Sequence, residues 1–312
     1  MSTSDEAVVV WGEVLWDRFP EGDQLGGAPA NVAWHLGQAG GWARLVTRVG
    51  DDDDGRRAIA RLAECVDTSL IQVDPERATG EVTISLEHGE PRYTMHHGRA
   101  WERIACTDAV RTAIAEAGVF VFGTLSQLAP EGLASWRRAV AAASSPCLRA
   151  CDVNLRRTAG GVLAGAGPSP TEALTGEHLA VVEALAAADL IKVNDRELDA
   201  LARWRGWRDP IASLRDHGSK RRTVVVTHGA DGSTLHGDGP PIEIAGVHAT
   251  PGGDNVGCGD AYLAILVLGM TMGWDLAASG RAASRYAAAV AAVRGATPLF
   301  TDEQIADLLE LP

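Results

Sequence analysis

The chain reads as an α/β protein: a mostly parallel sheet covered by helices on both faces, with a small β-strand lid. Three observations predict this. Short unbroken apolar runs suit fully buried strands, stretches with helical apolar spacing alternate with them, and two segments break that rhythm with a strand-like pattern. In order, residues 7–11 (Ala-Val-Val-Val-Trp) form an apolar run closed by Gly12, a buried strand. Residues 30–40 carry apolar side chains at 32, 33, 36 and 39 and stop at Gly40-Gly41, which is a helix. A strand over 44–49 and a helix over 55–65 follow. Strands are then expected over 118–122, 148–153, 190–193 and 223–227, and helices over 132–143, 175–188 and 197–204. The apolar run 261–270 is a buried helix, and residues 158–171, rich in Gly, Ala and Pro, form a mobile surface loop.

The two departures are 13–24, which has no helical pattern, and 80–93. In the latter Val82, Ile84 and Leu86 alternate with Thr83, Ser85 and Glu87. A His88-Gly-Glu-Pro91 turn then leads into 92–96, so the unit is an antiparallel hairpin with one exposed face. The expected division is a core of 1–12, 31–78 and 102–312, with 13–30 and 79–101 as the lid. Such a lid closes over a substrate, packs on a partner chain, or does both.

Composition narrows the function. With 312 residues the chain makes one large domain or two medium ones, and 46% hydrophobic with 22% charged residues is ordinary globular composition. A net charge of −13 disfavours nucleic acid and anionic membranes, which need a basic surface. Lys192 and Lys220 are the two lysines and no Gly-Lys-Ser/Thr occurs, so a P-loop is excluded. No Gly-x-Gly-x-x-Gly follows the first strand, which disfavours a dinucleotide-binding dehydrogenase. The five cysteines (65, 106, 147, 151 and 258) lack metal-pair spacing, and Cys147 and Cys151 read as small buried hydrophobes. Reduced thiols and a cytoplasmic location follow. The first residues are acidic where a secretion signal is basic, and the apolar run 261–270 is too short to span a bilayer.

The most informative stretch is Gly252-Gly-Asp-Asn-Val-Gly-Cys-Gly-Asp260, running into that apolar helix. Gly257 and Gly259 let backbone N–H groups approach a ligand at a helix N-terminus, where unpaired donors and the helix dipole favour an anion. Asp260 in the first turn suits a base that accepts the proton of an attacking hydroxyl. From this segment alone, a plain helix cap accounts for the pattern equally well. Near the other end, Gly26-Gly27-Ala28-Pro29-Ala30-Asn31 opens a helix, with an amide able to hydrogen-bond a hydroxyl both ways. Asp17 lies just past a strand end, where open α/β sheets bind ligands.

Taken together, these segments resemble the PfkB (ribokinase-like) carbohydrate kinases, over nearly the whole chain. That family carries an N-terminal Gly-Gly…Asn signature and a C-terminal Asp-Thr-x-Gly-Ala-Gly-Asp signature, in the same order as here. Gly50-Asp-Asp-Asp-Asp-Gly55, Asp152-Val-Asn154-Leu-Arg156, Asn194-Asp-Arg-Glu197 and Thr227-His-Gly229-Ala-Asp-Gly232 are similar to four further family motifs. The phrases Gly12-Glu-Val-Leu-Trp-Asp17, Gly26–His35, Asp152–Arg156 and Thr79-Gly-Glu-Val82…Tyr93…Ala100-Trp101 look most like bacterial fructokinases.

The resemblance implies ATP-dependent phosphorylation of a primary sugar hydroxyl, most simply fructose to fructose 6-phosphate. Ribokinase, 2-keto-3-deoxygluconate kinase, nucleoside kinase and a non-catalytic sugar sensor are the rivals. By the same resemblance Asp260 is the base, and backbone at Gly257, Cys258 and Gly259 neutralises the transferred phosphoryl group. Asp17, Gly27, Asn31 and Arg156 bind sugar. Asn194, Thr227, Gly229 and Gly232 line ATP. Asn194 and Glu197 hold Mg²⁺ through water, with a plain first-turn charge as the bland alternative for Glu197. Asp254 and backbone near Arg294-Gly295 form a monovalent cation site suited to K⁺, and two copies pair through the lid as a homodimer. The chain departs from the C-terminal signature at Asn255, in place of Thr, and at Cys258, in place of Ala. Cys258 sits where a helix N-terminus lowers a thiol's pKa, though a small buried filler is the favoured reading over a redox switch.

Overall fold

The computed structural model describes residues 6–87, 90–155, 176–217 and 220–310. The first strand, β1 (Val8–Trp11), shows why the sheet must be covered twice. Its side chains alternate, so Val8 and Val10 enter one buried cluster while Val9 and Trp11 enter another on the opposite face. After β1 come β2 (Leu15–Phe19), β3 (Gly22–Gly26), α1 (Ala28–Gln38), β4 (Ala43–Gly50), α2 (Asp53–Leu62) and β5 (Ile71–Asp74). The hairpin β6 (Gly80–Glu87) and β7 (Glu90–Met95) precedes α3 (Asp108–Glu116), β8 (Val119–Phe122), α4 (Pro130–Ala142) and β9 (Leu148–Asp152). Next are α5 (Gly176–Ala187), β10 (Leu190–Asn194), α6 (Asp195–Arg205), α7 (Pro210–Arg215) and the short pair β11 (Asp216–His217) and β12 (Lys220–Arg221). The chain closes with β13 (Thr223–Thr227), β14 (Gly232–His236), β15 (Ile242–Ala245), α8 (Cys258–Thr271), α9 (Leu276–Ala291) and α10 (Asp302–Leu309).

Nine strands form one sheet in the order β15-β14-β13-β10-β9-β8-β1-β4-β5. It is parallel except for β14, which runs antiparallel to both of its neighbours. Helices α1, α2, α8, α9 and α10 bury one face, and α3 to α7 bury the other. The expected mostly parallel sheet with helices on both sides is therefore present. Boundaries move by a few residues where a local signal acts. Pro29 in the first turn starts α1 at Ala28, and Asn194 caps α6 at Asp195. The reading missed α3, α7, α9 and α10 and strands β5, β11, β12, β14 and β15. Helix α9 (Leu-Ala-Ala-Ser-Gly-Arg-Ala-Ala-Ser-Arg-Tyr-Ala-Ala-Ala-Val-Ala) is mostly alanine and serine, so its buried stripe has little contrast in sequence. The expected loop at 158–171 lies outside the described residues. Among the described residues no helix is long and apolar enough to cross a membrane.

A second sheet, ordered β3-β2-β6-β7, is built from strands of segments 13–30 and 79–101. The hairpin at 80–95 is antiparallel, as its alternation required, and β2 adds to it in parallel. Leu15, Val82 and Ile84 are buried together against Phe19 and Met95. The expected uncovered apolar face is thus already covered at 82 and 84 within one chain, because β2 supplies neighbours that the hairpin alone lacks. The side chain of Leu86 lies outside the described residues.

Helix α1 is clamped to the segment 296–300. Trp34 Nε1 donates to the Pro298 carbonyl at 3.2 Å, and Gln38 Oε1 accepts from Phe300 N at 3.0 Å. His35, fully buried, lies 2.9 Å from the Ala296 carbonyl through Nε2 and 3.3 Å from the Tyr286 hydroxyl through Nδ1. Since a carbonyl only accepts, the bonds assign the proton of the neutral ring to Nε2. Burial lowers the His35 pKa from 6.5 to about 4, against the opposing pull of the Ala296 carbonyl. The unfolded chain therefore binds a proton between pH 6.5 and 4 that the folded chain refuses, and stability falls as pH drops through that window. The full effect is about 3 kcal/mol. Chemical denaturation from pH 7 to 4 should show His35→Gln less stable than wild type at pH 7 but with a shallower acid decline. Parallel declines in the two proteins would show that His35 does not carry it.

Candidate active site

The site lies where the carboxyl ends of the parallel strands meet the N-terminus of α8, the place where open α/β sheets bind ligands. Gly257 precedes α8 with φ 77°, and a Cβ there would lie 2.8 Å from Ala296, so glycine is demanded by both conformation and space. No side chain caps the helix, and its first internal bond runs from Ala261 N to the Gly257 carbonyl at 2.8 Å. The N–H groups of Cys258, Gly259 and Asp260 are consequently outside the helical ladder and point along its positive end. Such a cradle suits the oxygens of a phosphoryl group.

Asp260, in the first turn, is buried, and its Oδ2 accepts from Asn31 Nδ2 at 2.8 Å. Residues 229 positions apart thus meet, one from each end of the chain. Gly27 caps α1 one turn before Asn31. Asp17 on β2 lies across from this turn, with Oδ2 about 2.4 Å from where a Cβ on Gly26 would be. Asp17, Gly27, Asn31 and Asp260 therefore form a run of polar groups between the small sheet and α8.

On the other side of α8, β10 and β13 end in register, with Asn194 beside Thr227. The turn carrying Gly229 and Gly232 is closed by His228 N donating to the Gly232 carbonyl at 2.8 Å. His228 ties it to α6 and β14, with Nδ1 2.7 Å from Asp195 Oδ1 and Nε2 2.9 Å from Thr234 Oγ1. Asn194 and Glu197 form a reciprocal cap: Asn194 Oδ1 accepts from Glu197 N at 2.9 Å, and Glu197 Oε2 accepts from Asn194 N at 2.9 Å. Glu197 Oε1 also accepts from Leu155 N at 3.0 Å, which pins the strand end after β9. Burial, then the Asp152 carboxylate, pushes the Glu197 pKa up, while Lys192 pulls it down. Asp254 braces the loop ahead of α8, accepting from Val256 N at 3.0 Å and from Gly295 N at 3.2 Å.

Arg156 lies outside the described residues, so its expected reach to sugar or phosphate has no structural account. The lowering that a helix N-terminus gives a thiol is outweighed at Cys258: burial, then the carboxylates of Asp254 and Asp260, pushes the thiol up to about 11. A neutral thiol is a poor nucleophile, which fits a space-filling side chain. The reading also passed over Lys192, buried on β10 with Nζ 2.8 Å from Asp152 Oδ2. A signal was available: one of only two lysines stands inside the apolar strand Leu190-Ile-Lys-Val.

Comparison with known proteins identifies the family and the fold. The family model described as pfkB family carbohydrate kinase matches residues 22–303. Fructokinase-1 of Zea mays is 28% identical over 288 residues, covering 86% of this chain and 84% of that protein. A fructokinase of Escherichia coli is 27% identical over 286 residues, covering 85% and 84%. The fold is shared with the crystal structure of Xylella fastidiosa fructokinase with bound ATP, at TM-score 0.81 and 20% identity over 99% of both chains. It is also shared with Vibrio cholerae fructokinase bound to fructose, ADP and calcium ion, at TM-score 0.79 and 22% identity over 98% and 99%. Matched by that family model over residues 22–303, most of its length, the chain belongs to the pfkB family of carbohydrate kinases.

Proposed function

We propose that this sugar kinase transfers the γ-phosphoryl group of ATP to the primary hydroxyl of fructose, giving fructose 6-phosphate. The observation that carries the chemistry is the Asn31–Asp260 contact at the uncapped start of α8. The choice of fructose rests on the fructokinases among the relatives. Asp17, Gly27 and Asn31 bind sugar hydroxyls, and Arg156 reaches the sugar or the γ-phosphate. Asp260 takes the hydroxyl proton as the sugar oxygen bonds to phosphorus. The bond from phosphorus to the β-phosphate oxygen breaks, and its electron pair leaves with ADP. The N–H groups at Gly257, Cys258 and Gly259 offset charge on the equatorial oxygens. Asn194, Thr227, Gly229 and Gly232 line the nucleotide.

Each Glu197 oxygen accepts one backbone bond and keeps a second lone pair, so the Asn194–Glu197 pair fits an outer contact to hydrated Mg²⁺. When bound, magnesium neutralises charge on the phosphates. The oxygens of Asp254 beside Gly295 likewise fit a hard monovalent cation such as K⁺. The reading carries a cytoplasmic location, where ATP is supplied. It also includes a homodimer through the lid, supported by β3 and β7 standing at the two open edges of the small sheet.

The assignment is tested by coupled ADP release over fructose, ribose, 2-keto-3-deoxygluconate and adenosine. Fructose should give the highest kcat/KM, and a clear win for another acceptor would replace the substrate while leaving the kinase. Asp260→Asn should fold normally and lose about 10²–10⁴-fold in kcat. Retention of a third of the wild-type rate would remove Asp260 as the base. Light scattering at micromolar protein should report a dimer; a monomer would end the lid-pairing proposal.

A further inference from the structure

Beneath the phosphate cradle lies a buried charge cluster drawn from four elements. Lys192 on β10 is buried and donates to Asp152 at the end of β9 through Nζ, at 2.8 Å. Glu197 on α6 and Asp260 on α8 act electrostatically on the same ammonium. One further contact fixes where that ammonium stands: a Cβ built on Gly259 would lie 2.9 Å from Lys192 Nζ. The second glycine of the cradle is therefore seated directly on the lysine. Glycine there keeps room for a cation, whereas Gly257 meets the backbone and side chain of Ala296.

A buried ammonium loses its hydration, and it stays charged only if carboxylates replace the water. Here burial works to lower the Lys192 pKa, but Asp152, Glu197 and Asp260 outweigh it and the pKa ends above its ordinary 10.5. The charge is held by a bond to Asp152 and by the rigid strand beneath, so it needs no reorganisation during a reaction above it. A fixed cation in a buried setting acts strongly on charge that develops nearby.

We propose that Lys192 is a positioning residue of the transfer step: held on Asp152 under Gly259, its ammonium supplies the fixed positive charge of a cradle otherwise built from backbone. The inference rests on the kinase reading above. It assigns Lys192 a role through Gly259 and Asp260, favouring the arrangement in which the phosphoryl group is in flight over either bound ground state. Asp152 is then the residue that holds the cation in register.

The test compares wild type with Lys192→Met and with the double variant Asp152→Asn/Lys192→Met. The single change leaves Asp152 without its partner and costs stability, whereas the double change removes both charges together. Each protein is assayed for melting temperature, kcat, KM for sugar and for ATP, and the affinity of ADP with and without aluminium fluoride in the presence of sugar. Both variants should lose about 10²-fold in kcat, the scale of one transition-state donor. Both KM values should stay within about threefold, and the extra affinity that aluminium fluoride gives ADP in wild type should be largely lost. A folded double variant with wild-type kcat, or one whose losses lie in KM alone, would overturn the proposal. Failure of the kinase reading looks different, since wild type itself would then phosphorylate no sugar.

Discussion

The hydrogen bond from Asn31 to Asp260 is the constraint around which the rest of the site is arranged. It joins the first helix to the eighth across 229 positions of the sequence, and both helices lie on the same face of the main sheet. For those two side chains to meet, β1 lies inside the sheet between β8 and β4, and α1 packs along α8. The clamp of α1 onto 296–300 through Trp34, His35 and Gln38 then fixes the rotation that aims Asn31 at the carboxylate. A slip of one residue in α1 would turn Asn31 by about 100°, away from Asp260.

An acidic protein that handles phosphate needs its positive potential concentrated in one place. Here the first turn of α8 lies outside the helical ladder and without a side-chain cap, and Lys192 stands under its second glycine. The surrounding carboxylates would repel a phosphate if unbalanced. Asp152 is paired with Lys192, Glu197 accepts two backbone bonds, and Asp260 is held by Asn31. Glu197 shows how one residue braces two elements: it closes the α6 cap and anchors the loop after β9 in a single placement.

Much of this was legible in the chain. The glycines at 257 and 259 with Asp260, the Gly-Gly…Asn start of α1 and the alternation at 80–96 are local patterns with local physical causes. Periodicity failed where it carried no contrast, in alanine-rich α9, and in the end strands β14 and β15, which lack long apolar runs. At Cys258 a helix N-terminus is only one influence on the thiol; burial and two carboxylates, invisible in sequence spacing, outweigh it.

The sequence by itself determined the buried strands, the glycine-rich start of α8 and the family resemblance, because each depends on residues adjacent in the chain. Only the tertiary structure decided what those residues meet. It covered Val82 and Ile84 through a second hairpin, set Glu197 against Leu155 as well as Asn194, and brought Lys192 beneath Gly259. Those contacts depend on which strands become neighbours in the sheets. Strand order is chosen by packing over the whole chain, and no local pattern records it.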